Sequence, residues 1–238
     1  METIENYSQM TIGKIVARDY RKAMAFKSHG IDFCCGGNIT VEEAVKDHDV
    51  DLDQLLEELS DIDSYEEKSE NYTYWSTEKL ISHIVDNHHE YVRKTIEQLS
   101  PMLAKVEMVH GNWRPELIRI NQLYKALASE LLTHMMKEER VLFPAILDMS
   151  SQANDGSPSF GSISNPISVM MREHDIAGDY IKQIRELTNG FQTPKGACAS
   201  NIVVYKVLQE FEDDLFTHIH LENNILFPRA QKLEATNN

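Results

Sequence analysis

Twice in this chain, 84 residues apart, a histidine is followed one helical turn later by a glutamate and then by the same tripeptide: His134, Glu138 and Leu142-Phe143-Pro144, then His218, Glu222 and Leu226-Phe227-Pro228. On an α-helix residues i and i+4 share one face, with Cβ atoms about 6 Å apart. An imidazole and a carboxylate so placed can grip one metal ion, or one ion each of a pair. The Leu-Phe-Pro that follows reads as an apolar stop.

The neighbours of each pair say which way it faces, because a core-facing stripe repeats at i±3, i±4 and i±7. Those positions hold Leu127, Leu131 and Val141 around His134, and Phe211, Leu215 and Ile225 around His218. Both pairs therefore stand where leucines would otherwise be. A surface pair would have polar flanks instead. Burying an ionised carboxylate beside imidazole is costly, and a bound cation is the usual compensation.

A bundle built on two such helices should offer two more. His89 lies 45 residues before His134, and His174 lies 44 before His218. Each half then reads as a helical hairpin, one arm giving a lone histidine and the other His-x-x-x-Glu. Val85, Val92, Ile96 and Leu99 share the face of His89 and favour it over His88, whose company is Ile81, Ile84 and Tyr91. Around His174 stand Ile167, Met170, Met171, Ala177 and Ile181.

Four imidazoles and two carboxylates are too many for one zinc and too few to saturate two octahedral ions. Two irons with bridging carboxylates and a solvent-derived oxo or hydroxo bridge fit that count and leave positions open. Mixed nitrogen and oxygen ligation suits iron and manganese, whereas a closed structural zinc site calls for four ligands with cysteine among them. The Glu-x-x-His pattern of carboxylate-rich di-iron bundles is not what stands here.

The elements that must position these residues are all helical: an all-α chain, a four-helix bundle preceded by a small helical domain. Residues 1–65 form the small domain, 66–75 an acidic and polar linker, and 76–238 the bundle. Thr11 is expected to cap a helix over residues 12–28 that stops at Gly30, and Thr40 a second one toward His48. Ser76 or Thr77 opens the bundle. Its helices are expected near residues 77–109, with a kink at Pro101, and near 115–147, 166–188 and 198–233, with Pro115 and Pro166 as first-turn prolines. The Gly, Ser, Asn and Pro-rich stretch 150–165 reads as a mobile connector.

Composition sets outer bounds. The net charge of −15 argues against nucleic acid as a partner, since phosphate binding needs clustered Lys and Arg. Residues 47–70 carry eleven Asp or Glu against one Lys. That run reads as a solvated helix and linker, or more sharply as a lure for Fe2+ or for a basic client surface. No segment is long and apolar enough for a membrane span, and the first residues lack a signal-peptide pattern, so the expectation is a protein without a membrane partner. Three cysteines, two of them adjacent, do not make a disulfide framework, and a reducing cytoplasm is the natural location.

Cys34 and Cys35, in Asp32-Phe33-Cys34-Cys35-Gly36-Gly37, are the second chemical feature. Adjacent cysteines form a disulfide only through strained geometry. A thiol pair accepting a metal, a persulfide or a nitrosyl group is one reading, and two buried small hydrophobes the other. Cys198 reads as structural. Glu173 and Asp175 flank His174 and are candidates for orienting imidazole N–H groups. Tyr91, Tyr124, Tyr180 and Tyr205 are candidates for lining an access path. His29, His48, His83, His110 and His220 are not expected among the ligands.

The four histidine segments, their order and the repeated Leu-Phe-Pro resemble the hemerythrin-like domain, and the Asp-Phe-Cys-Cys-Gly-Gly string resembles the small domain fused to it in the iron-sulfur cluster repair di-iron proteins, the Ric family. The resemblance covers residues 11–230. It implies metal ligands at His89, His134, Glu138, His174, His218 and Glu222, the set already reached from the stripes, and a part for Cys34 and Cys35 in repair chemistry. Oxygen-carrying hemerythrins have a second histidine one turn after the third-helix ligand, where this chain has Gly178, and a His-x-x-x-x-Asp in the last helix. A more open pair of irons suits reaction with small oxidants, or iron loss, better than oxygen storage.

The function so implied is repair of iron-sulfur clusters damaged by oxidative or nitrosative stress, by iron donation or small-molecule redox. Expected partners are the damaged iron-sulfur proteins and small diatomic ligands such as nitric oxide and oxygen, and the resemblance admits a homodimer. Two other readings stand beside it, a di-iron nitric oxide reductase and an oxygen or nitric oxide sensing module.

Overall fold

A computed structural model describes residues 7–64, 71–151 and 161–237. The first half of the linker expected at 66–75, and the middle of the connector expected at 150–165, lie outside these residues. Among them the chain is helical, and the only β pairing is an isolated antiparallel bridge between Thr11 and Thr40.

The N-terminal unit consists of α1 (Ile12–Arg18), α2 (Ala23–Ser28), α3 (Val41–His48) and α4 (Leu52–Asp63). The single helix expected over 12–28 is broken at Asp19, whose extended backbone (φ −146°, ψ 101°) lets its carboxylate accept the Arg21 N–H and open a 3₁₀ turn. Asp competes with the helical backbone in this way wherever its side chain can reach a nearby amide. Thr11 makes no side-chain cap bond to α1. Thr40 and Glu43 form a reciprocal capping box on α3, and Asp51 caps α4 through the Gln54 N–H. The acidic α4 buries only Leu55 and Leu59 and turns Asp53, Glu57 and Asp61 to solvent, as the solvated-face reading expects.

The bundle has four long arms. The first joins α5 (Thr77–His83) through a π-helical turn (Ile84–His89) to α6 (Glu90–His110), and Ser76 caps it. The second joins α7 (Glu116–Lys137) through a π turn (Glu138–Leu142) to α8 (Phe143–Ser150). The third is α9 (Ser164–Leu187). The fourth joins α10 (Ala199–Leu221) through a π turn (Glu222–Leu226) to α11 (Phe227–Asn237).

Leu-Phe-Pro therefore does not stop either helix. It marks where a widened π turn returns to α geometry, the place where a proline lacking an N–H is tolerated. The π turn also corrects the stripe around His134. One extra residue in the turn leaves Val141 49% exposed and places Leu142 in the core instead.

The buried apolar residues form two clusters. One contains the N-terminal unit (Ile12, Val16, Phe26, Phe33, Val41, Leu55) together with one end of the bundle (Leu99, Leu103, Tyr124, Ile184, Leu208, Phe211). The other is the opposite end of the bundle, built from Leu80, Ile84, Phe143, Ile146, Ile167, Leu226 and Phe227. Between them lies a layer of buried polar side chains.

Candidate metal centre

The three π turns place the chemistry. His89 ends the first, Glu138 begins the second and Glu222 begins the third. Such turns are rare and concentrate at functional sites. Together with His134, His174 and His218 these residues make up the polar layer, and none of the six is more than 2% exposed.

The layer divides into two four-residue sets, each with its donor atoms within 4.8 Å of one another: His89, Glu138, His218 and Glu222, and His134, Glu138, His174 and Glu222. Glu138 and Glu222 belong to both. Glu138 lies between His134 Nε2 (3.1 Å) and His89 Nε2 (3.3 Å), and Glu222 between His218 Nε2 (3.1 Å) and His174 Nε2 (3.1 Å). Despite these short approaches, both oxygens of Glu138 and Oε2 of Glu222 accept no aligned hydrogen bond.

The outer ring nitrogens fix the tautomers. His134 Nδ1 donates to Glu173 (3.0 Å), His89 Nδ1 to Glu139 (2.6 Å) and His174 Nδ1 to Asn223 Oδ1 (2.9 Å). In the neutral rings the lone pairs therefore sit on Nε2. The Nε2 atoms of His134 and His174 are 2.9 Å apart, and those of His89 and His218 are 3.2 Å apart. The facing lone pairs of His134 and His174, beside the orphaned Glu138 carboxylate and Glu222 Oε2, require a positive charge among them. The residues present fit a pair of metal cations.

Without a cation, protons supply that charge. Burial pushes the imidazole of His134 down, but the Glu138 carboxylate outweighs it and carries His134 up to about 10. Burial pushes Glu222 up, and His218 and His174 more than offset it, holding the carboxyl well below its usual range. Protons and metal compete for the same lone pairs.

Second contacts differ in part from the expectation. Glu173 reaches across to His134, not to its neighbour His174, and also takes the Lys137 ammonium at 2.5 Å. Asp175 is exposed and acts on His174 through its charge. Glu139 and Asn223, which sequence reasoning missed, follow directly after the two π-initiating glutamates. Arg93 holds the same Glu139 oxygen that His89 does, at 2.5 Å. Among the described residues His218 Nδ1 has no hydrogen-bond partner, and instead the His88 ring stacks on His218 at 5.8 Å and 11°. His88 is thus also buried, held by Asp214 at 2.8 Å, while His89 is the one brought to the cluster. Phe143 stacks on His89 (5.8 Å) and Phe227 on His174 (6.0 Å), so the two Leu-Phe-Pro phenyl rings wall the layer.

Of the four tyrosines, Tyr91 lines a cleft of about 520 Å³ with Tyr20, Phe33, Asp213 and Asp214. Tyr124 and Tyr205 are core residues, and Tyr180 is half-buried. Cys198 is exposed, and its sulfur lies 3.2 Å from His110 Nε2, a surface position rather than the structural one expected.

The cysteine loop lies against the fourth arm. Asp32 Oδ1 accepts the N–H groups of Cys34 (2.8 Å) and Cys35 (2.9 Å), and Asn224 Nδ2 donates to the carbonyls of Phe33 and Cys34, both at 3.2 Å. The Asn223 amide that receives His174 also donates to the Cys34 carbonyl at 3.4 Å. Gly13 and Gly37 allow this approach: Gly13 N–H meets Gly37 O at 2.7 Å, and a Cβ on Gly13 would stand 2.2 Å from Asn224 Oδ1. Phe33 presents its ring to Tyr20, Phe216 and His220.

Comparison with known proteins matches two stretches of the chain. Residues 80–230 match the hemerythrin HHE cation binding domain, and residues 8–63 match the ScdA_N domain, described as a domain of unknown function (DUF542). The iron-sulfur cluster repair protein ScdA of Staphylococcus haemolyticus (strain JCSC1435) is 34% identical over 92% of this chain and 97% of its own length. The iron-sulfur cluster repair protein YtfE of Yersinia pseudotuberculosis serotype O:1b (strain IP 31758) is 37% identical over 96% of this chain and 100% of its own. Its namesake in Yersinia pestis (strain Pestoides F) matches to the same extent.

Proposed function

Because the chain belongs to the family of iron-sulfur cluster repair proteins that join an ScdA_N domain to a hemerythrin HHE domain, we propose that it repairs iron-sulfur clusters damaged by oxidants or nitric oxide, using two iron ions held by His89, His134, Glu138, His174, His218 and Glu222. The observation that carries this reading is the pair of four-residue sets sharing Glu138 and Glu222. A carboxylate common to two sets could bridge two ions if both were bound, and a solvent-derived oxo or hydroxo bridge would complete the count.

Bound iron supplies either ions for rebuilding a client cluster or redox chemistry with small oxidants. The protein's own groups prepare that chemistry. Glu173, Glu139 and Asn223 keep the imidazole protons on Nδ1 and so aim Nε2 at the metal, as outer partners of metal-bound histidines do. Phe143 and Phe227 keep water from the layer's flank. The six ligands leave coordination positions open, and no side chain projects from Gly178, which favours reaction or release over storage. The partners of this reading are proteins with damaged clusters, and its location is the cytoplasm, where three free cysteines are kept reduced. Among the described residues no helix is long and apolar enough to cross a membrane.

The test is recovery of a cluster enzyme inactivated by peroxide or nitric oxide, with wild type and with Glu138→Leu. Equal recovery by the two overturns the proposal. Iron analysis with a Mössbauer spectrum of protein purified under nitrogen provides the second check: two irons per chain are expected, and one zinc per chain defeats it.

A further inference from the structure

The cysteine loop holds a constellation that the bundle chemistry does not use. Asp32, Cys34 and Cys35 bring a carboxylate and two sulfurs within 4.8 Å of one another. Cys34 Sγ is 3.2 Å from Asp32 Oδ1 and 3.9 Å from Cys35 Sγ. In a tetrahedral site with metal–sulfur bonds of about 2.3 Å and metal–oxygen bonds of about 2.0 Å, the sulfur–sulfur edge is about 3.8 Å and the sulfur–oxygen edge about 3.5 Å. The spacing found is close to both edges.

The backbone holds this geometry in place. Asp32 Oδ1 is pinned by the two loop N–H groups, Oδ2 keeps its lone pairs for an ion, and Asn224 and Asn223 fasten the loop carbonyls to the fourth arm. The three groups differ in access: Cys34 is buried, Cys35 is half-exposed and Asp32 is exposed. Three donors with one open side make a site that can accept an ion and give it up.

We propose that Asp32, Cys34 and Cys35 form a second, mononuclear site for a thiophilic divalent cation, with Fe2+ as the natural occupant. Binding releases both thiol protons to solvent through the open Cys35 side, and water or a donor of another protein takes the fourth position. The site adjoins the bundle centre, since a single amide, that of Asn223, links the Cys34 carbonyl to His174 Nδ1. As a binding site it stands independently of the repair function. As the point at which iron leaves the bundle for a client, it rests on the iron-donation reading above.

The test is a Co2+ titration of the full chain, iron-loaded and kept under nitrogen, followed by the near-ultraviolet thiolate-to-cobalt charge-transfer absorption. Histidine and carboxylate ligands give no such band on cobalt, and the absorption of the iron centre is a constant background removed in the difference spectrum. The band is expected to saturate at one Co2+ per chain. It should disappear in Cys34→Ser, weaken at least tenfold in apparent affinity in Cys35→Ser and in Asp32→Asn, and persist in Cys198→Ser and Glu138→Leu. Asn preserves the acceptor for the two loop N–H groups, so Asp32→Asn separates loss of a ligand from loss of the fold. Protection of Cys35 from iodoacetamide by Co2+ in wild type gives a readout without any variant. No band and no protection in wild type, or a band that survives Cys34→Ser, overturns the site. Normal cluster repair by a protein without the band removes this proposal alone, whereas a normal band in a protein that repairs nothing removes the repair function alone.

Discussion

The sulfur of Cys35 lies 3.8 Å from the point where a Cβ on Gly178 would stand, so the thiol loop of the N-terminal unit occupies the space beside the third arm, one turn beyond His174. The resemblance to oxygen-carrying hemerythrins puts a histidine at that turn. Here the glycine leaves the space to a cysteine.

Gly178 therefore tolerates a methyl group and nothing much larger. Gly178→Ala is expected to fold and to gain up to about 1 kcal/mol from helix propensity, with unchanged thiol reactivity. Gly178→His must displace Cys35, and its labelling rate by a small alkylating reagent should rise several-fold. An unchanged rate would contradict the contact.

The groups on the outer imidazole nitrogens should be felt at the metal. Glu173→Ala and Asn223→Ala each remove the group that aims one Nε2, and losses of about 10–100-fold in iron affinity are expected from changes of this kind. Competition against a calibrated chelator measures them, and the exposed Asp179→Asn serves as the control.

Gly13→Ala tests the joint between the N-terminal unit and the fourth arm. Its Cβ would stand 2.2 Å from Asn224 Oδ1 and 2.9 Å from the Gly37 carbonyl, an overpacking expected to cost about 1–3 kcal/mol. Part of that cost should vanish in the double variant with Asn224→Ala, because the clash and the shortened side chain compensate each other. Urea unfolding of the four proteins gives the coupling.

Iron removal should lower the melting temperature sharply. An ion that binds only the folded chain stabilises it by about 4 kcal/mol at a thousand times its dissociation constant, and removal returns the layer to protons on buried imidazoles. Calorimetry of loaded and chelator-treated protein measures the gap, and equal melting points would contradict binding in the core.

A pH prediction follows from His220, which burial pushes down to about 4. Its folded value lies below the ordinary histidine value of about 6.5, so the unfolded chain takes up its proton first. The contribution of neutral His220 is complete above about pH 6.5 and is lost as the pH falls from there through 4. His220→Phe should flatten that part of the stability profile, read as melting temperature between pH 7 and 5.

The four-helix arrangement, the six converging side chains and the preference for His89 over His88 are all legible in spacing, because a 3.6-residue period projects directly onto a helix face. The failures are local or cross-chain. Val141 was on the expected stripe, but a π turn adds a residue and moves Leu142 into its place. Asp19 splits a helix that periodicity runs through, because its side chain bonds its own backbone. Glu139, Asn223 and the true partner of Glu173 depend on which helix lies opposite, and an intrahelical period carries no such information.

A π turn accommodates one residue more than an α-helix needs while keeping the helical faces on both sides in step. Deleting the exposed Val141 should therefore let the second arm close into regular α-helix with Leu142, Phe143 and Ile146 still facing inward. What such a shortened arm loses is the widened backbone from which Glu138 and Glu139 diverge, one into the layer and one onto His89 from outside. In this arm the metal layer thus hangs on one added residue, and deleting that residue is the change that would separate the helical hairpin from its site.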